Sequence, residues 1–142
     1  MSKDPVTPQD YTDPANWPPN FRLSEFEVSG AHREPVPAEL HGSVLTLAWE
    51  LQALREHLVA PVRVLSGYRS PEYNASISGA KRSQHMQGRA ADIAVKDHSP
   101  AQVADAIEAL IAAGRMQDGG LGRYPGFTHY DVRGSRARWG SN

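Results

Sequence analysis

The strongest constraint on the fold is a stripe of apolar residues with helical spacing in the first half of the chain. Seven residues share it: Leu40, Val44, Leu47, Ala48, Leu51, Leu54 and Leu58. Recurrence at three and four residues places them on one face of an α-helix, and Pro37 suits its first turn. This apolar face must pack against another layer of structure. We expect Trp49 to belong to the same helix core.

Short β-type segments supply the partner layer. Residues 61–66 (PVRVLS) and 90–95 (AADIAV) are short and rich in strand-forming residues, and residues 119–139 predict paired strands joined by glycine and proline turns. Ser70–Pro71 and Ser99–Pro100 each place a capping serine before a proline, which predicts two more helices. The chain is therefore predicted to be α+β, with helices packed on one side of a small, mostly antiparallel sheet.

The length of 142 residues indicates one folded domain. Residues 1–20 are rich in proline and poor in aliphatic residues, which predicts an extended or disordered N-terminal arm. The folded domain is predicted to span residues 21–142, with Phe21 and Phe26 among its first apolar anchors.

Composition excludes several classes of function. The chain has no cysteine, which excludes disulfides, iron–sulfur clusters, thiolate zinc sites and cysteine nucleophiles. A formal net charge of −1 gives no reason to expect a nucleic-acid partner. No segment approaches the roughly 20 apolar residues of a membrane span. The first residues lack the apolar core of a secretory signal, so a role outside the cytoplasm is expected to require cell lysis or non-classical export.

An acidic residue inside the second predicted strand indicates a metal or ion-pair site. Asp92 is flanked on its own strand face by two small residues, Ala90 and Ala94. A carboxylate at such a position is costly to bury without a partner, and small neighbours leave room for one. His85 precedes it by a loop containing Gly88, where the chain could turn back and bring the two side chains together.

His129 supplies a third candidate ligand. It shares one face of a strand-like segment with Phe127 and Asp131. Two imidazoles and one carboxylate suit zinc with one coordination position left open. Zinc in such a site polarises carbonyl groups and activates water near neutral pH.

A site without a metal is the alternative at this point. Asp92 would then form an ion pair with Arg89 or Arg69. His85 would lie on the surface and His129 would be held by ordinary hydrogen bonds. Residue spacing alone leaves both interpretations open.

Three ordered segments resemble one family of peptidases. Residues 83–92, SQHMQGRAAD, match the S-x-H-x-x-G-x-A-x-D signature of the M15 metallopeptidases. LSGYRSPEYN before it and FTHYDVRGSRARW after it resemble the corresponding blocks of a compact branch found in bacterial proteins and phage lysins, so the resemblance covers about residues 21–139. It implies the fold shared by these peptidases and the Hedgehog signalling domain. It also implies zinc as the cofactor, with His85, Asp92 and His129 as its ligands.

The resemblance further implies a function. The M15 group includes zinc D-Ala-D-Ala carboxypeptidases and L-alanyl-D-glutamate endopeptidases, which act on peptidoglycan peptides. We therefore expect a zinc-dependent peptidase, of carboxypeptidase or endopeptidase type, that hydrolyses cell-wall stem peptides with metal-activated water. A monomer is expected, of phage or bacterial source, that reaches the cell wall after lysis or by non-classical export. The alternative is a zinc-stabilised peptidoglycan-binding module that has lost its general base.

The general base is the point at which the chain departs from the family. Many M15 enzymes carry a Glu or Asp three residues before the last histidine ligand, a position that Gly126 occupies here. The expected replacement is Asp131, whose alpha carbon lies about 6.5–7 Å from that of His129 on the same strand face. Alternatively, Asp131 fixes the tautomer of a ligand histidine or pairs with Arg133. Glu72 is a weaker candidate for the base.

Three other residues are predicted to contact the substrate. Arg69 would hold a substrate carboxylate or stabilise an oxyanion, and would thus be catalytic as well, although it could instead tie strand to loop. Ser83 is expected to cap the ligand loop and to face the substrate. Tyr130 is predicted to line the groove with Tyr68 and Tyr73, although aromatic residues at such positions are as often in the core.

Overall fold

One seven-stranded sheet organises the chain, for which the computed structural model describes residues 11–142. Its strands are β1 (Val28–Ser29), β2 (His32–Arg33), β3 (Val62–Ser66), β4 (Ala90–Val95), β5 (Gly120–Arg123), β6 (Thr128–Asp131) and β7 (Ala137–Gly140). Their spatial order is β2-β1-β3-β4-β6-β5-β7. Within residues 11–142 only the pairing of β5 with β7 is parallel, so the predicted α+β fold with a mostly antiparallel sheet is confirmed.

In the described part of the chain three α-helices accompany the sheet: α1 (His41–Leu58), α2 (Pro71–Ser76) and α3 (Pro100–Ala112). The predicted caps are present, since the hydroxyl of Ser70 accepts the N–H of Tyr73 and that of Ser99 accepts the N–H of Gln102. Short 3-10 helices cover Pro14–Asn16, Leu23–Phe26, Ala38–Leu40 and Gln84–Gln87. Within residues 11–142, no helix combines the length and apolar character needed to cross a membrane.

The apolar stripe of α1 forms the centre of the core, as its spacing predicts. Leu47, Leu51 and Leu54 are buried in one cluster with residues of α3 and of the sheet. Trp49 does not belong to this core, contrary to the prediction. Its side chain is 48% exposed, and its indole N–H donates to the carbonyl of Asn16 at 2.9 Å. Trp49 therefore contacts the segment before residue 21 rather than the sheet.

The packed part of the chain begins before residue 21. Trp17 is buried in the core cluster, and its indole N–H donates to the carbonyl of Tyr11 at 2.6 Å. The side chains of Asn20 and Gln52 form a hydrogen bond of 2.9 Å, which attaches this segment to α1. Residues 11–20 of the predicted arm thus pack on the domain, and residues 1–10 lie outside the described part of the chain.

Candidate metal centre

A row of residues crosses the sheet at right angles to its strands. Register pairing places Asp92 of β4 beside Ser66 of β3 and His129 of β6. The pairing continues from His129 through Gly122 of β5 to Trp139 of β7. Paired neighbours project to the same face of a sheet, and their strands lie about 4.8 Å apart. Asp92, His129 and Trp139 of this cross-strand row line a cleft of about 420 Å³.

Two residues of this row and one from the 3-10 helix Gln84–Gln87, all buried, could hold a metal ion. His85, Asp92 and His129 each offer one ligand atom, and these atoms lie within 4.8 Å of one another. Nε2 of His85 is 3.4 Å from Oδ2 of Asp92, and Nδ1 of His129 is 3.0 Å from Oδ1 of the same carboxylate. The two rings meet edge to face at 72°, so they approach the carboxylate from different directions.

The second nitrogen of each ring is fixed by a hydrogen-bond acceptor. Nδ1 of His85 donates to the carbonyl of Gly67 at 2.7 Å, and Nε2 of His129 donates to the carboxylate of Asp131 at 2.6 Å. These bonds direct Nε2 of His85 and Nδ1 of His129 toward Asp92. Metal-binding histidines are held by a carbonyl or a carboxylate in this way. The donor set of two imidazoles and one carboxylate therefore fits zinc, with one coordination position left open.

Protons compete with a cation for this group. Burial acts to raise the pKa of Asp92, but hydrogen bonds with His129 and His85 outweigh it and hold that pKa below its usual value. Burial acts to lower the pKa of His129, but hydrogen bonds with Asp131 and Asp92 outweigh it and raise that pKa. Positive charge is thus stabilised between the imidazoles and the carboxylate, and metal affinity should fall as the pH falls.

Asp131 lies behind His129 and is fully buried. Its Oδ1 accepts the backbone N–H groups of Gly120 and Arg133 and the Nε–H of Arg133. Its Oδ2 accepts Nε2 of His129 and Nη2 of Arg133. Although burial acts to raise the pKa of Asp131, the bonds from His129 and Arg133 hold it below its usual value. These contacts favour an orienting role for Asp131, and the ion pair with Arg133 is also present; the role of general base stays a prediction.

Among the described residues, Asp92 is the only carboxylate that lines the cleft. Glu72 is exposed on α2 and does not reach the lining. Gly126 lies in the exposed turn between β5 and β6, and a Cβ built on it meets nothing within 4 Å. Position 126 therefore has room for an acidic side chain that this chain does not carry.

Arg69 lines the cleft beside the end of β3. Its Nη2 is 3.6 Å from Oδ2 of Asp92, and its other nitrogens reach Ser29 and Asn74 only at 3.4 Å. Because these contacts are long, the guanidinium keeps N–H groups for a bound ligand. Ser83 also lines the cleft, and its hydroxyl accepts the N–H of His85 at 3.2 Å, the capping contact expected of it.

The prediction that Tyr130 contacts the substrate is wrong. Its side chain is fully buried in the apolar core, and its hydroxyl donates to the carbonyl of Gln117 at 2.6 Å. Successive residues of a strand face opposite sides, so Tyr130 must face away from a cleft that contains His129. Tyr68 is also buried in the core, and Tyr73 stacks on His32 at 3.8 Å between ring centroids.

The β7 side of the cleft is an aromatic wall of Tyr124, Phe127 and Trp139, none of which was predicted to act at the site. The ring of Trp139 lies 5.0 Å from that of His129, and its indole N–H donates to the hydroxyl of Tyr124 at 2.7 Å. Tyr124 stacks in turn on Phe127. Gly122 makes room for this packing, because a Cβ there would lie 2.5 Å from Nε1 of Trp139. The sequence feature that could have predicted this packing is the alternation of glycines in GGLGR, because Gly120 and Gly122 leave one face of β5 without side chains.

Comparison with known proteins agrees with this geometry. Residues 19–131 match the family model described as Peptidase M15. Over 57 residues, which are 39% of this chain, the sequence is 39% identical to the zinc D-Ala-D-Ala carboxypeptidase of Streptomyces albus G. The aligned segment spans only 22% of the length of that relative. The family match covers most of the length of this chain and includes all three candidate ligands, so the chain belongs to the peptidase M15 family.

Proposed function

We propose that the chain is a zinc-dependent peptidase that hydrolyses a peptide bond in the stem peptides of bacterial peptidoglycan. Membership of the M15 family supports peptidase chemistry, and the similarity to a zinc D-Ala-D-Ala carboxypeptidase supports the metal and the substrate class. The observation that carries the proposal is the pair of hydrogen bonds that directs one nitrogen of His85 and one of His129 toward Asp92.

Some residues at this site would bind the zinc ion, and others orient the residues that bind it. His85, Asp92 and His129 would hold the zinc ion, which when bound supplies Lewis acidity that polarises a carbonyl and lowers the pKa of water. The carbonyl of Gly67 and the carboxylate of Asp131 fix the two rings, so the ligand atoms need little rearrangement to bind.

Arg69 is proposed to bind the substrate. Its guanidinium lines the cleft beside Asp92, and its hydrogen bonds and ion pair with the described residues are no shorter than 3.4 Å. A carboxylate of the peptide, or the negative charge that develops on the carbonyl oxygen during hydrolysis, would offer it shorter and stronger hydrogen bonds. Ser83, which also lines the cleft, is proposed to contact the peptide backbone.

A second candidate function is a zinc-stabilised module that binds peptidoglycan without cleaving it. It is favoured by one observation: Asp92 is the sole carboxylate lining the cleft among residues 11–142, and Asp131 is fully engaged behind His129. Hydrolysis then requires either that Asp131 accept a proton despite its bonds or that another group do so. The two functions predict opposite results in one experiment.

The experiment is digestion of purified peptidoglycan by the zinc-loaded protein. Newly released amines are quantified and the products are identified by mass spectrometry. Release of free D-alanine would indicate carboxypeptidase action, whereas release of larger fragments would indicate endopeptidase action. His85→Ala removes one ligand, and His57→Ala, an exposed histidine on α1, is the matched control.

The expected result is release by the wild type and by His57→Ala, and none by His85→Ala. No product from wild-type protein with full zinc occupancy would refute the peptidase proposal. Co-sedimentation with peptidoglycan in that case would support the binding module.

A further inference from the structure

We propose that Arg133, held in place by Trp139, binds a substrate carboxylate on the β7 side of the metal group, opposite Arg69. The inference rests on the proposed function, because it names what the same cleft recognises. The substrate class is a peptide that carries a carboxylate on each side of the bond to be hydrolysed.

Arg133 presents a free edge to the cleft. Its Nε and Nη2 form a fork on the Asp131 carboxylate at 2.9 and 2.8 Å. A guanidinium has five N–H groups, so three remain, two on Nη1 and one on Nη2. Within the described part of the chain these find no acceptor, although the side chain is 27% exposed and lines the cleft. The free Nη1–Nη2 edge has the geometry to donate two parallel hydrogen bonds to a carboxylate.

The aromatic wall fixes the plane of this guanidinium. Cζ of Arg133 lies 5.2 Å from the centre of the Trp139 ring, within the range of a cation–π contact. The indole itself is fixed by its hydrogen bond to Tyr124 and by close packing over Gly122. Arg133 is thus restrained along one edge by Asp131 and across one face by Trp139. A preorganised group loses little entropy when it binds a ligand.

The charge of the cleft favours an anionic ligand. Arg69, Arg82 and Arg133 line it, against the carboxylate of Asp92 in the lining and that of Asp131, which pairs with Arg133. Arg82 is exposed and has no ion-pair partner among the described residues. A concave surface with this excess of positive charge concentrates anions, although the chain as a whole has a formal net charge of −1.

The two inner arginines lie on opposite sides of the metal group. Arg69 follows β3 and contacts Asp92 of β4, whereas Arg133 follows β6 and packs on Trp139 of β7. Between β3 and β6, the strands that Arg69 and Arg133 follow, the sheet spans two strand spacings, or about 10 Å. An extended peptide crossing the strands would therefore meet Arg69 at one end of the cleft and Arg133 at the other, with the metal group between them.

The test measures binding as well as turnover. Zinc-loaded protein is mixed in a stopped-flow instrument with synthetic stem pentapeptides, and the first change in tryptophan fluorescence gives the dissociation constant. One pair of peptides has the α-carboxyl of the glutamyl residue free or amidated, and a second pair has the terminal carboxyl free or amidated. Amine release is recorded in parallel. A carboxylate preference without hydrolysis would refute the peptidase proposal but not the role of Arg133. Hydrolysis without the preference would refute the role of Arg133 but not the peptidase proposal.

Wild-type protein should bind one of the two free carboxylates at least about tenfold more tightly than its amide, because charge-assisted hydrogen bonds are lost with the amide. Arg133→Lys keeps a cation beside Asp131 but loses the free edge, so the preference should shrink to less than about threefold. Arg123→Lys is the matched control, since Arg123 is 26% exposed and paired with Asp105. Equal binding of free and amidated peptides by the wild type overturns the proposal. So does a preference that survives Arg133→Lys and disappears in Arg82→Lys.

Discussion

Replacing Asp131 by asparagine separates an orienting role from a role as general base. Asparagine keeps the volume of the side chain but turns one carboxylate oxygen into an NH₂ group. Oδ1 accepts three N–H groups from Gly120 and Arg133, so the NH₂ group should take the position of Oδ2 and face Nε2 of His129. Two donors cannot bond to each other. The ring can relieve the conflict by moving its proton to Nδ1, the atom directed toward Asp92, where a proton blocks metal binding.

The expected effect on zinc affinity follows from the geometry of this contact. Loss of an outer hydrogen-bond partner of a ligand histidine costs about 10- to 100-fold in metal affinity, or roughly 1.4–2.7 kcal/mol. The contact is 2.6 Å long and Asp131 is fully buried, so water cannot replace the lost acceptor. We therefore expect a loss near the upper end of this range.

The assay is competition for zinc with a chromophoric chelator, with folding checked by circular dichroism. Asp105→Asn is the matched control, because the Asp105 side chain is 72% exposed and forms an ion pair with Arg123, away from the metal group. Its zinc affinity should stay within about threefold of wild type, the scatter expected when no ligand contact changes. Unchanged zinc affinity in folded Asp131→Asn would refute the orienting role. If turnover alone then fell by a factor on the order of 10² or more, Asp131 would be the base predicted from the sequence.

Three other perturbations test separate parts of the structure. Gly122→Ala should displace the indole of Trp139, shift its fluorescence and weaken peptide binding, whereas zinc affinity should change little. An unchanged fluorescence spectrum would contradict the close packing of Trp139 over Gly122. The hydrogen bond from Arg138, together with the positive charge of Arg138, holds the pKa of Glu108 below its usual value. The ionised carboxylate therefore stabilises the fold above pH 4.5. This contribution is lost as the pH falls through the lower pKa of the folded state. Relative to Glu108→Gln, wild-type protein should therefore lose up to about 1 kcal/mol of unfolding free energy between about pH 5 and pH 3, a small amount because the pair is partly solvated; equal losses in urea titrations would contradict this. Chelation of zinc should lower the melting temperature and added zinc should restore it, since metal at 100 times its dissociation constant stabilises the fold by about 2.7 kcal/mol; an unchanged melting temperature would show that zinc is not bound.

Local sequence patterns predict those parts of the fold that depend on neighbours in the chain. The helical stripe of α1 and the Ser–Pro starts of α2 and α3 need only local periodicity and capping, and all three helices form. The exposure of Trp49 depends instead on the docking of residues 11–20, which no local pattern reveals. Tyr130 could have been placed correctly, because the strand that turns His129 toward the cleft must turn its neighbour toward the core.

The candidate site shows the same division. The signature residues His85, Asp92 and His129 lie together, as the resemblance implies. The aromatic wall depends on the parallel pairing of β7 with β5, a contact between strands that an intervening strand separates in sequence. Spacing cannot specify that pairing. The pairing of β7 with β5 also places Trp139 close enough to restrain Arg133. The sequence predicted Arg133 only as a possible ion-pair partner of Asp131.

Because two of the three candidate ligands lie in the cross-strand row, metal binding requires the correct alignment of β4 and β6. Asp92 and His129 are 37 residues apart in the chain and become neighbours only through the register of β4 against β6. A slip of that register by one residue would turn His129 toward the core and Tyr130 toward solvent. A chain aligned in that way lacks one of its three ligands. The molar ratio of bound zinc to protein therefore measures the fraction of molecules whose β4 and β6 are in the correct register. Zinc present during refolding should increase that fraction.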